Sequence, residues 1–466
     1  MSEIRIKKET DALGTEPVGK LLLKLAIPAI TAQLVNLMYN VVDRMYIGHI
    51  EGIGKLALTG VGVCLPLILL VSAFASLVGM GAAPRASIYL GKGEKSNVEG
   101  TVGNSFVLLL GISAVLTTIL LVFGDKLLRS FGASENTIGY AMQYMSIYCL
   151  GTIFVQMTIG LNPFISAQGF ARISMLTVCI GAGCNILLDP IFIFGFGLGV
   201  RGAAIATILS QSVSSVWILR FLTGKKTTLR LRVSCMKLRR QWCLPALALG
   251  LSPFIMQSTE SLISICFNSS LLKYGGDIAV GSMTILASVM QLAVTPLVGM
   301  MQGAQPITSY NFGAGNTERV KEAFRLLFIT CLTYSMSVWL LVMIRPGFFI
   351  QIFNKDPQLL AFASKALRIY MGATGIFGIQ VVCQHTFVAL GNAKSSLFLA
   401  LFRKVILLVP LIYLMPAVVP SVLQVDKATA VFMAEPVADF IAVVTTATMF
   451  FIQFRKLGNK KGELHQ

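Results

Sequence analysis

Apolar stretches of about 20 residues or more recur along the whole chain, and each can cross a bilayer as an α-helix. The pattern predicts twelve spans, near 21–48, 57–83, 101–124, 137–167, 173–196, 202–223, 245–272, 280–310, 324–346, 360–390, 396–418 and 428–454. Short polar turns separate them, and the longest polar interruption is the basic stretch Arg220–Arg240. The expected organisation is a tail (1–20), a six-helix bundle (21–223), a basic linker (224–244), a second six-helix bundle (245–454) and a tail (455–466). The fold class this implies is an all-α polytopic membrane protein. The first 20 residues are polar and charged, so no removable signal peptide is expected, and no lipidation signal is evident at either end.

The two halves repeat. Gly81, Ala82, Pro84, Ser87, Gly91, Gly93 and Val98 recur at one constant offset as Gly303, Ala304, Pro306, Ser309, Gly313, Gly315 and Val320. Gly169 and Ala171 recur as Gly391 and Ala393 at the same offset, and Pro28 pairs with Pro253 three residues out of step. Six spans per half is an even number, so both halves face the same way and form a parallel repeat about an axis along the membrane normal. A two-bundle transporter follows from that arrangement more naturally than a single-bundle channel or receptor.

Composition agrees with the pattern. Only 12% of residues are charged, against about 25% in soluble domains. The net charge of +18 could suggest a nucleic-acid partner. Most of the Lys and Arg, however, fall on one set of alternate loops and tails, which places both termini in the cytoplasm and the chain in the inner or plasma membrane. The bases are then explained by the anionic leaflet, and no nucleic acid is expected. The nine cysteines lie mostly in apolar runs without a Cys-x-x-Cys spacing and read as small buried hydrophobes. No phosphate loop, zinc-protease motif or nucleophile elbow is present, so neither an enzyme nor a bound cofactor is expected, and energy should come from an ion gradient.

The chemistry lies in the few polar groups inside spans. A carboxylate at the centre of a membrane helix costs roughly 2.5–3.5 kcal/mol, so it marks a functional site by default. Asp43, Asp189, Glu260, Glu435 and Asp439 are such groups. At about 1.5 Å per residue, Asp189 sits about 24 Å into span 5 and Asp43 near the outer end of span 1, close enough in depth to share a proton. Glu260 falls near mid-membrane in span 7. Tyr39, Asn40 and Asp43 form a polar stripe with Asn36, Asn185 lies four residues before Asp189, and Asn162 and Thr207 lie in spans 4 and 6. Isolated amides and hydroxyls of this kind commonly serve only to hold helices together. Glu435 and Asp439 are like charges four residues apart and should repel if both ionise. His385 could relay protons, although a packed or water-facing imidazole is the simpler reading.

The chain resembles the multidrug and toxic compound extrusion (MATE) transporters along its whole length. The matching features are Val42-Asp43-Arg44-Met45-Tyr46-Ile47-Gly48, Asn185-Ile-Leu-Leu-Asp189-Pro190 followed by Gly199-Val-Arg-Gly202, Gly303-Ala-Gln-Pro306 with Tyr310-Asn311-Phe-Gly313, and Glu435-Pro436-Val-Ala-Asp439. The resemblance implies an efflux antiporter that works by alternating access on bulky, often cationic organic compounds, driven by protons or sodium. It implies a coupling site at Tyr39, Asp43, Asn162, Asn185, Asp189 and Thr207, with Na+ at Asp43 and Asp189 as the metal alternative to a proton, and a hinge at Pro28. Glu260, Glu435 and Asp439 form a second acidic site on this reading. A branch of the family pairs an acid in span 7 with one in span 10, but here span 10 carries Gln380, Gln384 and His385. The protein is expected to act as a monomer on small organic substrates. The rival reading is a flippase for a lipid-linked saccharide, which would call for cavity bases; Arg403, expected near the cytoplasmic start of span 11, is the one intramembrane base this reading can point to.

Overall fold

The structure, a computed structural model, describes residues 11–353 and 356–459, so parts of both expected tails lie outside the described residues. Its spans are α1 (Val18–Gly48), α2 (Gly54–Gly91), α3 (Lys95–Ser130), α5 (Ala171–Gly195), α6 (Gly199–Thr223), α9 (Thr317–Ile344), α11 (Ala393–Leu423) and α12 (Lys427–Arg455). Two more are bent pairs: α4 (Ile138–Leu150 with Thr152–Ser166, 59°) and α10 (Pro357–Tyr370 with Thr374–Ala389, 44°). The 74-residue helical run Arg240–Gly313 is far longer than a span needs, and Gly276 breaks it with a left-handed backbone (φ 61°). Both ends of this run touch the same end of α2, because Gly81 meets Ala246 and Gly250 while Gly91 meets Tyr310. The run therefore folds back on itself and supplies α7 (240–275) and α8 (277–313). The described residues thus hold twelve spans in two six-helix lobes.

The repeat has a physical basis at its glycines. Gly93 and Gly315 have φ of 76° and 75°, and Gly169 and Gly391 have φ of 92° and 75°. Each equivalent pair closes a turn that a side chain would strain, which is why glycine recurs at these positions. Gly81 packs on α7 at Ala246 and Gly250, and its partner Gly303 packs on α1 at Leu25 and Ala26. Gly91 lies against the Tyr310 carbonyl and Gly313 against the Ile88 carbonyl. A methyl group at any of the four would overlap backbone of the opposite lobe.

Two helices change lobes. The first half of α1, with Leu21, Leu22 and Leu25, is buried in a cluster with Met300, Phe324 and Phe377 of the second lobe. Symmetrically, Ala246 at the start of α7 is buried with Val78, Ala82 and Phe164 of the first lobe. Further along, α1 packs against α5 in its own lobe, where Ile47 is fully buried with Ile193. Pro28 is buried within an otherwise continuous α1 near this transfer point, and its missing N–H makes that turn of helix the weakest.

The contacts that join the lobes fall toward the end that carries the termini. Gln33 Nε2 donates to Gln302 Oε1 (3.0 Å), Ser76 Oγ to Gln257 Oε1 (3.0 Å), and the Phe74 and Phe254 rings lie 4.9 Å apart. At that end the N-terminal segment is pinned to the second lobe: Asn311 Nδ2 donates to the Leu13 carbonyl and Arg319 Nη2 to the Glu16 carbonyl. The linker is pinned to the first lobe, where Gln168 Oε1 accepts from the N–H groups of Thr228 and Leu229. Large apolar side chains such as Leu23, Met38, Val122, Phe196 and Val422 are exposed at protein surfaces that a bilayer would cover.

Candidate functional site

The first candidate site lies between α1, α4, α5 and α6. Asp189 is fully buried four residues beyond Asn185, and Asn185 Nδ2 donates to Asp189 Oδ1 at 3.2 Å. Asp43 of α1 lies against Asp189, although the two residues are far apart in sequence. Tyr39, one turn before Asp43 on the same face of α1, lies close to both carboxyls. Thr207 Oγ1 donates to the Ala203 carbonyl (3.0 Å) and lies beside the Tyr144 hydroxyl. Just beyond Asp189, the π-helical turn Ile191–Gly195 continues the helix with a wider winding that follows Pro190.

This pocket is short of donors. Asp43 Oδ1, Asp189 Oδ2 and Asn185 Oδ1 are buried without a hydrogen-bond partner. Leaving a buried polar atom unpaired costs about 1–3 kcal/mol, so a group of such acceptors defines the chemistry of what the pocket would hold. Oxygen atoms that accept and have nothing to accept from suit a proton or a hard cation. Either species would also offset the repulsion between two carboxyl groups in contact.

The structure brings together five of the six residues expected here and sets the sixth apart. Asn162 Nδ2 donates to the carbonyl of Ser174 (3.4 Å), near the start of α5. Antiparallel packing of α4 on α5 puts Asn162 at that level, about 22 Å along the helix axis from Asp189. Its Oδ1 is unpartnered, but it does not belong to the carboxyl pair's immediate contacts. In its place stand Tyr144 and Tyr148 of α4, buried and stacked at 6.0 Å, with Tyr144 close to Asp43 and Tyr148 close to Tyr39. Both were missed by sequence reading. Their signal was a pair of hydroxyls four residues apart on one face of an apolar span.

The second lobe departs from the expectation of an acidic site. Glu435 and Asp439 of α12 are both held by Arg403, whose Nη2 lies 3.0 Å from Glu435 and whose Nε lies 2.6 Å from Asp439. Glu260 of α7 is held by Lys404 at 2.6 Å. The group is thus three acids balanced against two bases. Arg403 is also not at the membrane surface: it lies about 15 Å along α11, in a π-helical segment, Phe402–Leu408. In that wider winding both adjacent bases are buried, although neighbouring residues of an ordinary helix diverge. The Arg403 guanidinium stacks over Phe377 at 4.7 Å. Gln384 of α10 donates to Ser252 (3.3 Å), so it joins α10 to α7 in the place where an acid was absent.

Comparison with known proteins agrees with this architecture. The MatE family model matches residues 28–191 and again 253–414, once in each half of the repeat. The chain is 25% identical over 400 residues to the multidrug export protein MepA of Staphylococcus haemolyticus strain JCSC1435, a match covering 85% of this chain and 87% of that protein. A crystal structure of a MATE protein in the bent conformation superposes with a TM-score of 0.88 at 24% identity, covering 97% of this chain and 98% of that one. The outward-facing conformation of a multidrug resistance MATE family transporter of the MOP superfamily superposes with a TM-score of 0.87 at 23% identity, covering 97% and 99%. These likenesses fix the fold, and the family match extends over most of the sequence. This multi-pass membrane protein belongs to the MatE family.

Proposed function

We propose that the protein is a secondary active antiporter that exports bulky, often cationic organic compounds in exchange for protons or sodium. The observation that carries this reading is the contact between Asp43 and Asp189, surrounded by carboxyl and amide oxygens without donors. The relatives described as multidrug export proteins support the same substrate class. Asp43, Asp189, Tyr39, Asn185 and Thr207 bind the coupling ion, Tyr144 positions Thr207 and Asp43, and Asn162 lies further along the path. Sodium, if it is the ion, would be cargo held by these oxygens.

Coupling follows from where the two acids sit. Asp189 belongs to the first lobe, whereas α1, which carries Asp43, is rooted in the second lobe by its first half. Occupancy of the carboxyl pair therefore ties α1 to α5 in one arrangement and releases it in another, with Pro28 as the place where α1 can yield. An ion shifts such an equilibrium only by binding one state better than the other. The protein works as a monomer of the inner membrane with both termini in the cytoplasm, and the cleft between the lobes opens away from them.

The flippase reading requires bases free to hold a pyrophosphate. Arg403 and Lys404 are instead committed to Glu260, Glu435 and Asp439, which favours cationic cargo. The test is dye uptake into everted membrane vesicles with a proton gradient and a sodium gradient imposed separately. One gradient should drive transport of a cationic dye. Transport indifferent to both would end the antiport reading.

A further inference from the structure

The ion pair between Lys404 and Glu260 is unequal. The Lys404 side chain is only 8% exposed, whereas Glu260 is 54% exposed. The other base, Arg403, is 6% exposed and grips two carboxylates that are themselves buried, so that part of the group is closed. Glu260 lies on α7 just beyond Gln257, the last position at which α7 is hydrogen-bonded to α2 of the opposite lobe. Its carboxylate therefore stands where the lobes cease to touch, reachable from the cleft, and carries the tip of a buried lysine as its counter-ion.

We propose that Lys404 is a tethered cation that occupies the Glu260 carboxylate until an organic cation displaces it, and so sets the affinity and charge selectivity of the second lobe. The inference rests on the reading of the cargo as cationic. When a substrate ammonium takes Glu260, the lysine does not go unpaired. Glu435, which receives a single hydrogen bond from Arg403, lies close enough to Lys404 for their charges to interact. The exchange leaves no charge unpaired: the cluster holds three carboxylates and two bases, and the entering cation supplies the third positive charge as Lys404 turns toward Glu435. Neutral compounds cannot displace the lysine and gain nothing from Glu260. A desolvated ion pair broken on one side is costly, whereas a partner swap within one cluster avoids that cost.

The π-helical segment is the structural requirement for this device. It buries Arg403 and Lys404 side by side, one committed to the closed pair and one to the open carboxylate. Lys404 is thus a specificity-determining residue that holds no substrate itself.

The test is equilibrium binding of ethidium, a permanent monocation, to purified full-length protein in detergent, by fluorescence. Lys404→Met should tighten ethidium binding several-fold, because the competitor is gone and Glu260 keeps access to water. Lys404→Arg, which retains a tethered charge, should bind as the wild type does. Glu260→Gln should weaken binding, and adding Lys404→Met to it should change nothing further. A Lys404→Met protein that melts as the wild type does and binds ethidium no more tightly overturns the proposal while leaving the exporter reading intact. Failure of both wild type and Lys404→Met to bind ethidium overturns the two together.

Discussion

Arg403 shows why a pair of like charges survives inside a membrane helix. Glu435 and Asp439 stand one turn apart on α12, and without a partner each would carry both desolvation and mutual repulsion. A single guanidinium on α11 answers both, with Nη2 on one carboxylate and Nε on the other. Removing one side of such a buried group costs about 3–5 kcal/mol, whereas replacing the whole group by neutral side chains of similar shape is often tolerated. Arg403→Met should therefore lower the melting temperature of the purified protein markedly, and Arg403→Met with Glu435→Gln and Asp439→Asn should recover most of the loss. Equal melting temperatures for wild type and Arg403→Met would show that the bridge contributes nothing. The acids themselves were legible in the sequence as expensive residues in apolar runs. Their partner was not, because nothing local links position 403 to 435, and because the π-helical winding that buries two adjacent bases has no signature in the apolar pattern.

At the scale of elements, the sequence disclosed the repeat and concealed what the repeat does. The recurring glycines at 81 and 303, and at 91 and 313, were visible as spacing alone. Only the packing shows that each admits backbone from the opposite lobe. Inserting a side chain into such a contact costs typically about 1–3 kcal/mol. Gly81→Val and Gly303→Val should therefore wedge the lobes apart at the end bearing the termini, each shifting the population toward the state open on that side. Distances between spin labels placed across that end report the shift. An unchanged distance distribution in both variants would mean that these contacts do not hold the state seen here. The bends in α4 and α10 fall at equivalent places in the two halves, at Gly151 and at the short break 371–373. Apolar periodicity runs through such breaks, so each was expected as one unbroken span, at 137–167 and 360–390. The transfer of α1 and α7 between lobes was equally silent, since a helix buried against either lobe needs the same apolar face.

For the molecule as a whole, charge distribution and lobe contacts bear on one question, which is how ion occupancy on one side controls access on the other. Five of the six coupling residues expected from the sequence meet in one pocket, and the exception, Asn162, is displaced by the antiparallel pairing of α4 with α5. The lobes meet toward the end shared by the N-terminal segment, the linker and the C-terminal part of α12, where Asn392 Nδ2 donates to Gln453 Oε1. The excess of bases at that end predicts that it faces the cytoplasm. A green fluorescent protein fused after Gln466 should fluoresce in cells and an alkaline phosphatase fused there should be inactive; the reverse result would invert the transport direction proposed. The central claim is that the Asp43–Asp189 pair couples ion entry to export. It is tested most directly by gradient-driven uptake of ethidium into everted vesicles that contain equal amounts of wild type, Asp43→Asn or Asp189→Asn. Each substitution should abolish the gradient-driven component while ethidium still binds the purified variant, and uptake at the wild-type rate by both variants would contradict the account.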